Sequence, residues 1–116
     1  MKYRLLGKTG LSVSILGYGA SPLGDVFGPA DMDEICRTVH FAIDSGVNYF
    51  DVSPFYGNDA LAELRLGKAL GGGLREKVVL ATKVWQYRFG GVKTNGIKIS
   101  VTAIAVTDAG GQHEKV

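Results

Sequence analysis

Gly46-Val-Asn-Tyr-Phe-Asp51-Val-Ser-Pro-Phe-Tyr56-Gly57 decides how this chain is read. Residues 47–52 form a short apolar segment of strand type that reaches a carboxylate at Asp51, and the turn beyond it carries a phenol at Tyr56. A second run, Val78-Val-Leu-Ala-Thr82, looks like a buried strand and leads straight into Lys83. In a parallel β/α architecture the carboxyl ends of neighbouring strands converge on one face, so residues about 30 apart in sequence meet in space. Asp51, Tyr56 and Lys83 are therefore candidate catalytic residues.

The chemistry that suits such a trio is proton transfer to or from a substrate oxygen. A free phenol is a poor proton donor or acceptor near neutrality, and an ammonium beside it favours the phenolate. On this reading Tyr56 is the general acid in carbonyl reduction or the base in alcohol oxidation, and Asp51 holds Lys83 charged and oriented. The spacing alone is equally compatible with an aspartate that caps the next segment, a tyrosine packed in a loop and a lysine at a strand end.

Working outward, residues 3–6 and 11–14 flank Gly7-Lys-Thr-Gly10, which predicts a short hairpin with glycine turn chemistry. Residues 15–19 continue as a first core strand. Asp31-Met-Asp-Glu34 has the form of a capping box, and Met32, Ile35, Cys36, Val39, Ala42 and Ile43 follow at helical spacing up to Gly46, a candidate left-handed cap. A second helix is expected from Asn58 to about Leu70, with Leu61, Leu64, Leu66, Ala69 and Leu70 on its apolar face, ended by Gly71-Gly72-Gly73. The order hairpin, β, α, β, α, β with core strands about 30 residues apart predicts right-handed βαβ units and a parallel sheet.

The pattern changes after Phe89. Glycines at 90, 91, 96, 110 and 111 punctuate a segment whose strongest signal is the β-prone stretch 97–106, and no amphipathic helix follows the third strand. That stretch is expected to pair with an exposed sheet edge or to stay unstructured. His113 lies 30 residues beyond Lys83, but Asp108-Ala-Gly-Gly-Gln precedes it in place of an apolar strand, so it is not expected to approach Tyr56. His40 falls within the first helix and is read as structural or solvated.

Composition sets the bounds. The chain has 116 residues, 46% hydrophobic and 21% charged, with 13 basic against 11 acidic side chains. That is ordinary for one domain and provides no polybasic footprint for nucleic acid or an anionic membrane. Cys36 is the only cysteine, which excludes a disulfide framework and a cysteine metal cluster. No apolar run approaches the ~18 residues of a membrane span, and the first residues do not form a secretory signal, so a cytoplasmic protein is expected. A whole β/α barrel takes about 250 residues, so only part of one fits in this length.

These motifs, in this order, resemble the amino-terminal part of an aldo-keto reductase. Tyr3-Arg-Leu-Leu-Gly7-Lys-Thr-Gly10-Leu-Ser-Val is similar to the hairpin that closes the barrel's bottom, Leu16-Gly-Tyr-Gly19 to its first strand, and the 46–57 stretch to the family's most specific motif; Leu66-Gly67-Lys-Ala-Leu70 and Ala81-Thr-Lys83 extend the match. Gly19-Ala-Ser-Pro-Leu-Gly24-Asp-Val-Phe-Gly28-Pro29, and more loosely Trp85-Gln-Tyr-Arg-Phe-Gly90, are most similar to the family's plant branch that oxidises a sugar at its anomeric carbon to a lactone with NAD. The resemblance implies an α/β fold, a truncated (β/α)8 TIM barrel of about three β/α units behind an N-terminal β-hairpin. It divides the chain into an oxidoreductase sector, residues 1–89, and a divergent tail, residues 90–116.

By position the resemblance assigns proton transfer to Tyr56, activation of that phenol to Lys83 and support of the lysine to Asp51. It sets Gly19, Ala20, Ser21 and Asp51 near the nicotinamide of NAD or NADP. It implies a small sugar or carbonyl substrate, with no nucleic-acid or membrane partner. Gly17-Tyr-Gly19-Ala-Ser-Pro22 lacks the third glycine of a dinucleotide fingerprint and has proline where a helix would open, which disfavours a Rossmann domain. In the family the cofactor's adenosine and phosphates are held mainly by later strands, so these residues alone are expected to bind cofactor weakly and to be inactive. An open barrel sector leaves strand edges exposed, which makes self-association or a non-catalytic binding role the alternative. Low stability is expected from so small a core.

Overall fold

The computed structural model describes residues 1–83 and the backbone of two further strands, Ile104–Thr107 and His113–Lys115. Tyr3–Leu5 (β1) and Ser12–Ser14 (β2) form the expected antiparallel hairpin. Asn48 fastens it to the body. Its side-chain Oδ1 accepts from the Ser14 amide at 2.7 Å, its Nδ2 donates to the Ser12 carbonyl at 2.9 Å, and its own amide donates to Ser14 Oγ at 3.1 Å.

Tyr18–Gly19 (β3), Tyr49–Asp51 (β4) and Val79–Lys83 (β5) lie side by side and parallel. The first core strand is shorter than the 15–19 segment read from sequence. Ile15 and Leu16 are 57% and 60% exposed, so burial does not hold that part in the sheet. Leu16's carbonyl instead accepts from Ser14 Oγ.

Met32–Asp44 (α1) begins as its sequence requires. Asp31 stands in extended backbone and its carboxylate accepts from the Glu34 amide at 2.8 Å, satisfying one of the free donors of the first turn. Ile35 and Val39 are buried, with Met32, Cys36, Ala42 and Ile43 packed against the same core. Gly46 follows at φ +90°, a backbone conformation that a Cβ would oppose.

The second helix is Leu61–Ala69 (α2), entered through a 3-10 turn at Asn58–Ala60 in which Asp59 and Ala60 take positive φ. Its buried stripe is Ala62, Leu66, Ala69 and Leu70. Leu64 is 60% exposed, against the sequence reading, because at 100° per residue it stands opposite Ala62. His40 Nε2 lies 2.8 Å from the Ala69 carbonyl, so this histidine ties α1 to the end of α2.

Both helices cover one face of the sheet. Phe50, fully buried and stacked on Tyr18 with ring centroids 5.0 Å apart, is the centre of that layer. Tyr49 and Asp51 alternate with it and occupy the other face.

Ile104–Thr107 (β6) pairs antiparallel with β5, and His113–Lys115 (β7) pairs antiparallel with β6, giving the order β3-β4-β5-β6-β7. Part of the β-prone stretch therefore takes the edge-pairing course. The register sets His113 opposite Thr107 and Thr107 opposite Leu80, two strands away from β5 and at the level of its beginning. The Trp85–Gly90 motif, Gly90-Gly91, Asn95-Gly96 and Gly110-Gly111 lie outside the described residues. Among the described residues, no helix is long and apolar enough to cross a membrane.

Candidate active site

Strand register builds the site. Gly19 is level with Asp51 across β3 and β4, and Asp51 is level with Ala81 across β4 and β5, so Lys83, two residues further on, projects on the same face just beyond the carboxylate. Lys83 Nζ donates to Asp51 Oδ1 at 2.6 Å and to the Val52 carbonyl at 3.1 Å. It also lies 5.3 Å from the centroid of the Tyr56 ring. The structure thus brings together the three side chains that sequence alone set at strand ends.

Burial of the Lys83 ammonium is the largest single influence on its acidity and pulls its pKa down. The hydrogen bond and charge of Asp51, with a smaller contribution from Tyr56, outweigh that pull and leave the pKa above the ordinary lysine value. Lys83 is therefore a fixed cation throughout the neutral range. The phenol of Tyr49, behind Asp51 on the same strand, is raised by desolvation and then by the Asp51 charge, despite the opposing charge of Lys83.

Tyr56 is held through its backbone. Its amide donates to the Ser53 carbonyl at 3.1 Å, and its carbonyl accepts from the Ala62 amide at 3.0 Å in the first turn of α2. Ser53 is buried and its hydroxyl accepts from the Phe55 amide at 3.2 Å, which closes the Val-Ser-Pro-Phe turn. The 3-10 turn Ser21–Gly24 presses on the other side of the Tyr56–Gly57 peptide. A Cβ on Gly24 would lie 2.2 Å from the Tyr56 carbonyl oxygen, and one on Gly57 would lie 2.6 Å from the Gly24 carbonyl oxygen.

At the mouth of β3, Ala20 is fully buried and its amide donates to the Asp51 carbonyl at 2.8 Å. Gly19 is exposed and a Cβ there would meet nothing within 4 Å. Ser21 is half-buried at the start of the following turn. The space beside Gly19, level with Asp51, is open among the described residues.

A separate cavity of about 370 Å³, lined by Val52, Glu63, Leu66, Gly67, Leu70, Arg75, Leu80 and Thr82, lies between α2 and β5. Leu80 and Thr82 alternate with Lys83, so it opens on the opposite face of the sheet from the ion pair. Among the described residues, no group of three or more metal-ligating side chains comes together.

Two features of the site escaped the sequence reading. Gly24 was noted within a motif, but nothing local marks its approach to Tyr56. Arg65 on α2, which bonds the Leu23 carbonyl at 2.8 Å and Asp25 Oδ1 at 2.6 Å, is separated from its partners by 42 and 40 residues. No local pattern in the sequence pairs it with them.

Known proteins share this arrangement of strands and motifs. The pattern of the Aldo/keto reductase family matches residues 15–107. L-galactose dehydrogenase of Arabidopsis thaliana is 47% identical over 92 residues, covering 78% of this chain and 28% of the relative. Pyridoxal 4-dehydrogenase of Microbacterium luteolum is 40% identical over 84 residues, covering 70% and 23%. The holo form of an aldo-keto reductase from Bacillus halodurans superposes with a TM-score of 0.62 at 36% identity, over 78% of this chain and 29% of that one. The chain thus spans between about a quarter and a third of the length of the relatives it matches. Its parallel strands and covering helices are a sector of their (β/α)8 barrel, with the bottom hairpin in place. On the family pattern across residues 15–107 and relatives matched over more than two thirds of its length, this chain belongs to the aldo/keto reductase family.

Proposed function

We propose that this sector supplies the proton-transfer centre of an NAD- or NADP-dependent oxidoreductase that interconverts an alcohol and a carbonyl compound. The observation that carries this reading is the Lys83–Asp51 ion pair at 2.6 Å with its ammonium 5.3 Å from the Tyr56 ring, all at the carboxyl ends of neighbouring parallel strands. A bound nicotinamide supplies the hydride acceptor or donor. When a hydroxyl is oxidised, Tyr56 takes the proton from oxygen while the hydride leaves carbon; in reduction Tyr56 gives that proton back. Lys83 stabilises negative charge on the phenol oxygen in the proton-deficient state, and Asp51 fixes the lysine. Gly19, Ala20, Ser21 and the Asp51 region receive the nicotinamide.

The finer reading is an aldose substrate oxidised at its anomeric carbon to a lactone, as in a cytoplasmic L-galactose dehydrogenase of ascorbate synthesis. It is supported by the 47% identity to the Arabidopsis enzyme. The oxidoreductase sector is read as residues 1–89 and the divergent tail as residues 90–116. The family match reaches residue 107, but the antiparallel pairing of β6 with β5 differs from the all-parallel order of a (β/α)8 barrel. The 116-residue chain alone is read as inactive. The test is steady-state turnover with L-galactose, other aldoses and simple carbonyl compounds, in a complete barrel carrying residues 1–83, with NAD and NADP in turn. L-galactose oxidation with release of lactone is expected, and absence of turnover with every compound sinks the reading.

A second reading rests on the open sheet, whose edges among the described strands are β3 and β7. Unpaired edges recruit further strands, so this chain self-associates or adds to a relative rather than catalysing. A mass by light scattering that stays monomeric across a hundredfold concentration range counts against it.

A further inference from the structure

Arg65 closes a circuit of contacts around Tyr56. Its Nη1 donates at once to the Leu23 carbonyl and to Asp25 Oδ1, gripping the turn that follows β3. Gly24, between those two residues, lies backbone to backbone against the Tyr56–Gly57 peptide. The Tyr56 carbonyl accepts from Ala62, and Ala62 and Arg65 stand three residues apart on α2. The peptide that bears the phenol is thus held between a helix and a turn, and the guanidinium ties that turn back to the same helix.

The turn needs holding. Asp25 is a non-glycine residue at φ +59°, an uncommon conformation that aspartate tolerates better than most side chains. Its carboxylate also accepts from the Ala30 amide at 3.0 Å, so both ends of the 25–30 loop depend on it. The Arg65 hydrogen bond first, and the Ala30 amide second, hold that carboxyl below the usual carboxylate range. An exposed ion pair by itself contributes little. Here the guanidinium is 21% exposed and the same nitrogen also binds a carbonyl in a half-buried setting.

We propose that Arg65 is a positioning residue: by clamping the Leu23–Asp25 turn onto the Tyr56–Gly57 peptide it sets the phenol at its working distance from Lys83. The inference rests on the reading of Tyr56 as the proton-transfer group.

Two measurements test it. In the 116-residue chain, amide hydrogen exchange is followed in wild type, Arg65→Met and Arg65→Lys. Arg65→Met is expected to speed exchange at Ala62 about tenfold or more while Val39 and Phe50 keep their protection. Arg65→Lys keeps the charge but lacks the planar fork, and falls between. Uniform acceleration at all amides, or none at Ala62 in either variant, overturns the clamp; where Arg65→Met does not fold, Arg65→Lys reads the same amides. In a complete barrel carrying residues 1–83, Arg65→Met is expected to lower kcat per folded molecule, leave the cofactor KM within about twofold and displace the pH at which kcat changes, with part of each effect restored by lysine. A profile scaled down without displacement overturns the positioning role. Faster Ala62 exchange together with full turnover in Tyr56→Phe refutes the role of Tyr56 and leaves the clamp standing, so the two failures are distinguishable.

Discussion

Lys83 Nζ and Asp51 Oδ1 stand 2.6 Å apart across two parallel strands, 32 residues distant in sequence. Neither side chain is free in water; they are 25% and 34% exposed. Removing the cation leaves a half-buried carboxylate with its charge uncompensated, so Lys83→Met is expected to destabilise the chain by on the order of 1–2 kcal/mol in urea unfolding. The pH dependence follows from the raised lysine pKa. A group bound more tightly as its protonated form stabilises the fold fully below its unfolded value of about 10.4, and that stabilisation is lost as pH rises through the higher folded value. The stability gap between wild type and Lys83→Met should therefore be flat from about pH 6 to 9 and shrink only above about 10.4. A gap that closes below pH 9 contradicts the ion pair's assignment.

Tyr56→Phe separates chemistry from packing. The ring, half-buried against the core, is kept and only the hydroxyl is lost. In a complete barrel with this sector, turnover is expected to fall ~10²–10⁴-fold, the usual contribution of a general acid or base, with Tm within about 2 °C of wild type. Turnover within a few-fold of wild type would falsify proton transfer by Tyr56.

Gly24 and Gly19 predict opposite behaviour for the same substitution. Neither has a positive φ, so the difference is steric alone. At Gly24 the new methyl would meet the Tyr56 carbonyl oxygen at 2.2 Å, and backbone cannot rotate aside as a side chain can. Gly24→Ala should cost about 1–3 kcal/mol and lower kcat in the complete barrel. Gly19→Ala has nothing within 4 Å to strike, so stability should stay within about 0.5 kcal/mol. Its methyl does enter the space proposed for the nicotinamide, and the cofactor KM should rise. Thermal unfolding and cofactor titration of both variants check the pair; equal loss of stability in the two contradicts the packing described.

What the sequence made legible were features fixed by near neighbours. Asp31 and Glu34 are three residues apart, and the cap they predict is present. The α1 stripe needs only helical spacing, and the strand ends at Asp51 and Lys83 follow from runs of apolar residues. What it hid were contacts fixed by tertiary placement. Asn48 looked like one polar residue in a strand, yet it carries three bonds to the hairpin 34–36 residues before it. Leu64 looked like core because leucine usually is; the face that α2 buries carries Ala62, Leu66 and Ala69, and Leu64 stands on the opposite side. The Arg65 clamp and the Gly24 approach likewise join residues that no local pattern connects.

The final prediction concerns the cofactor. Gly19, Ala20 and Ser21 lie at the mouth of β3 beside Asp51, and the resemblance sets only the nicotinamide end of a dinucleotide there. Aldo-keto reductases hold the adenosine and phosphates mainly on strands later than the third parallel one, and β6, which occupies the position beside β5, runs antiparallel to it. An exposed nicotinamide contact alone must offset the lost translational and rotational freedom of about 4 kcal/mol or more. The 116-residue chain is therefore expected to bind NAD and NADP with a dissociation constant in the millimolar range or weaker and to show no measurable turnover. Isothermal calorimetry with each dinucleotide, and with nicotinamide mononucleotide as the truncated probe, measures this directly. Equal weak affinity for the mononucleotide and the dinucleotides fits a site that reads only the nicotinamide end; micromolar binding of a dinucleotide shows that this chain carries a phosphate and adenosine site of its own.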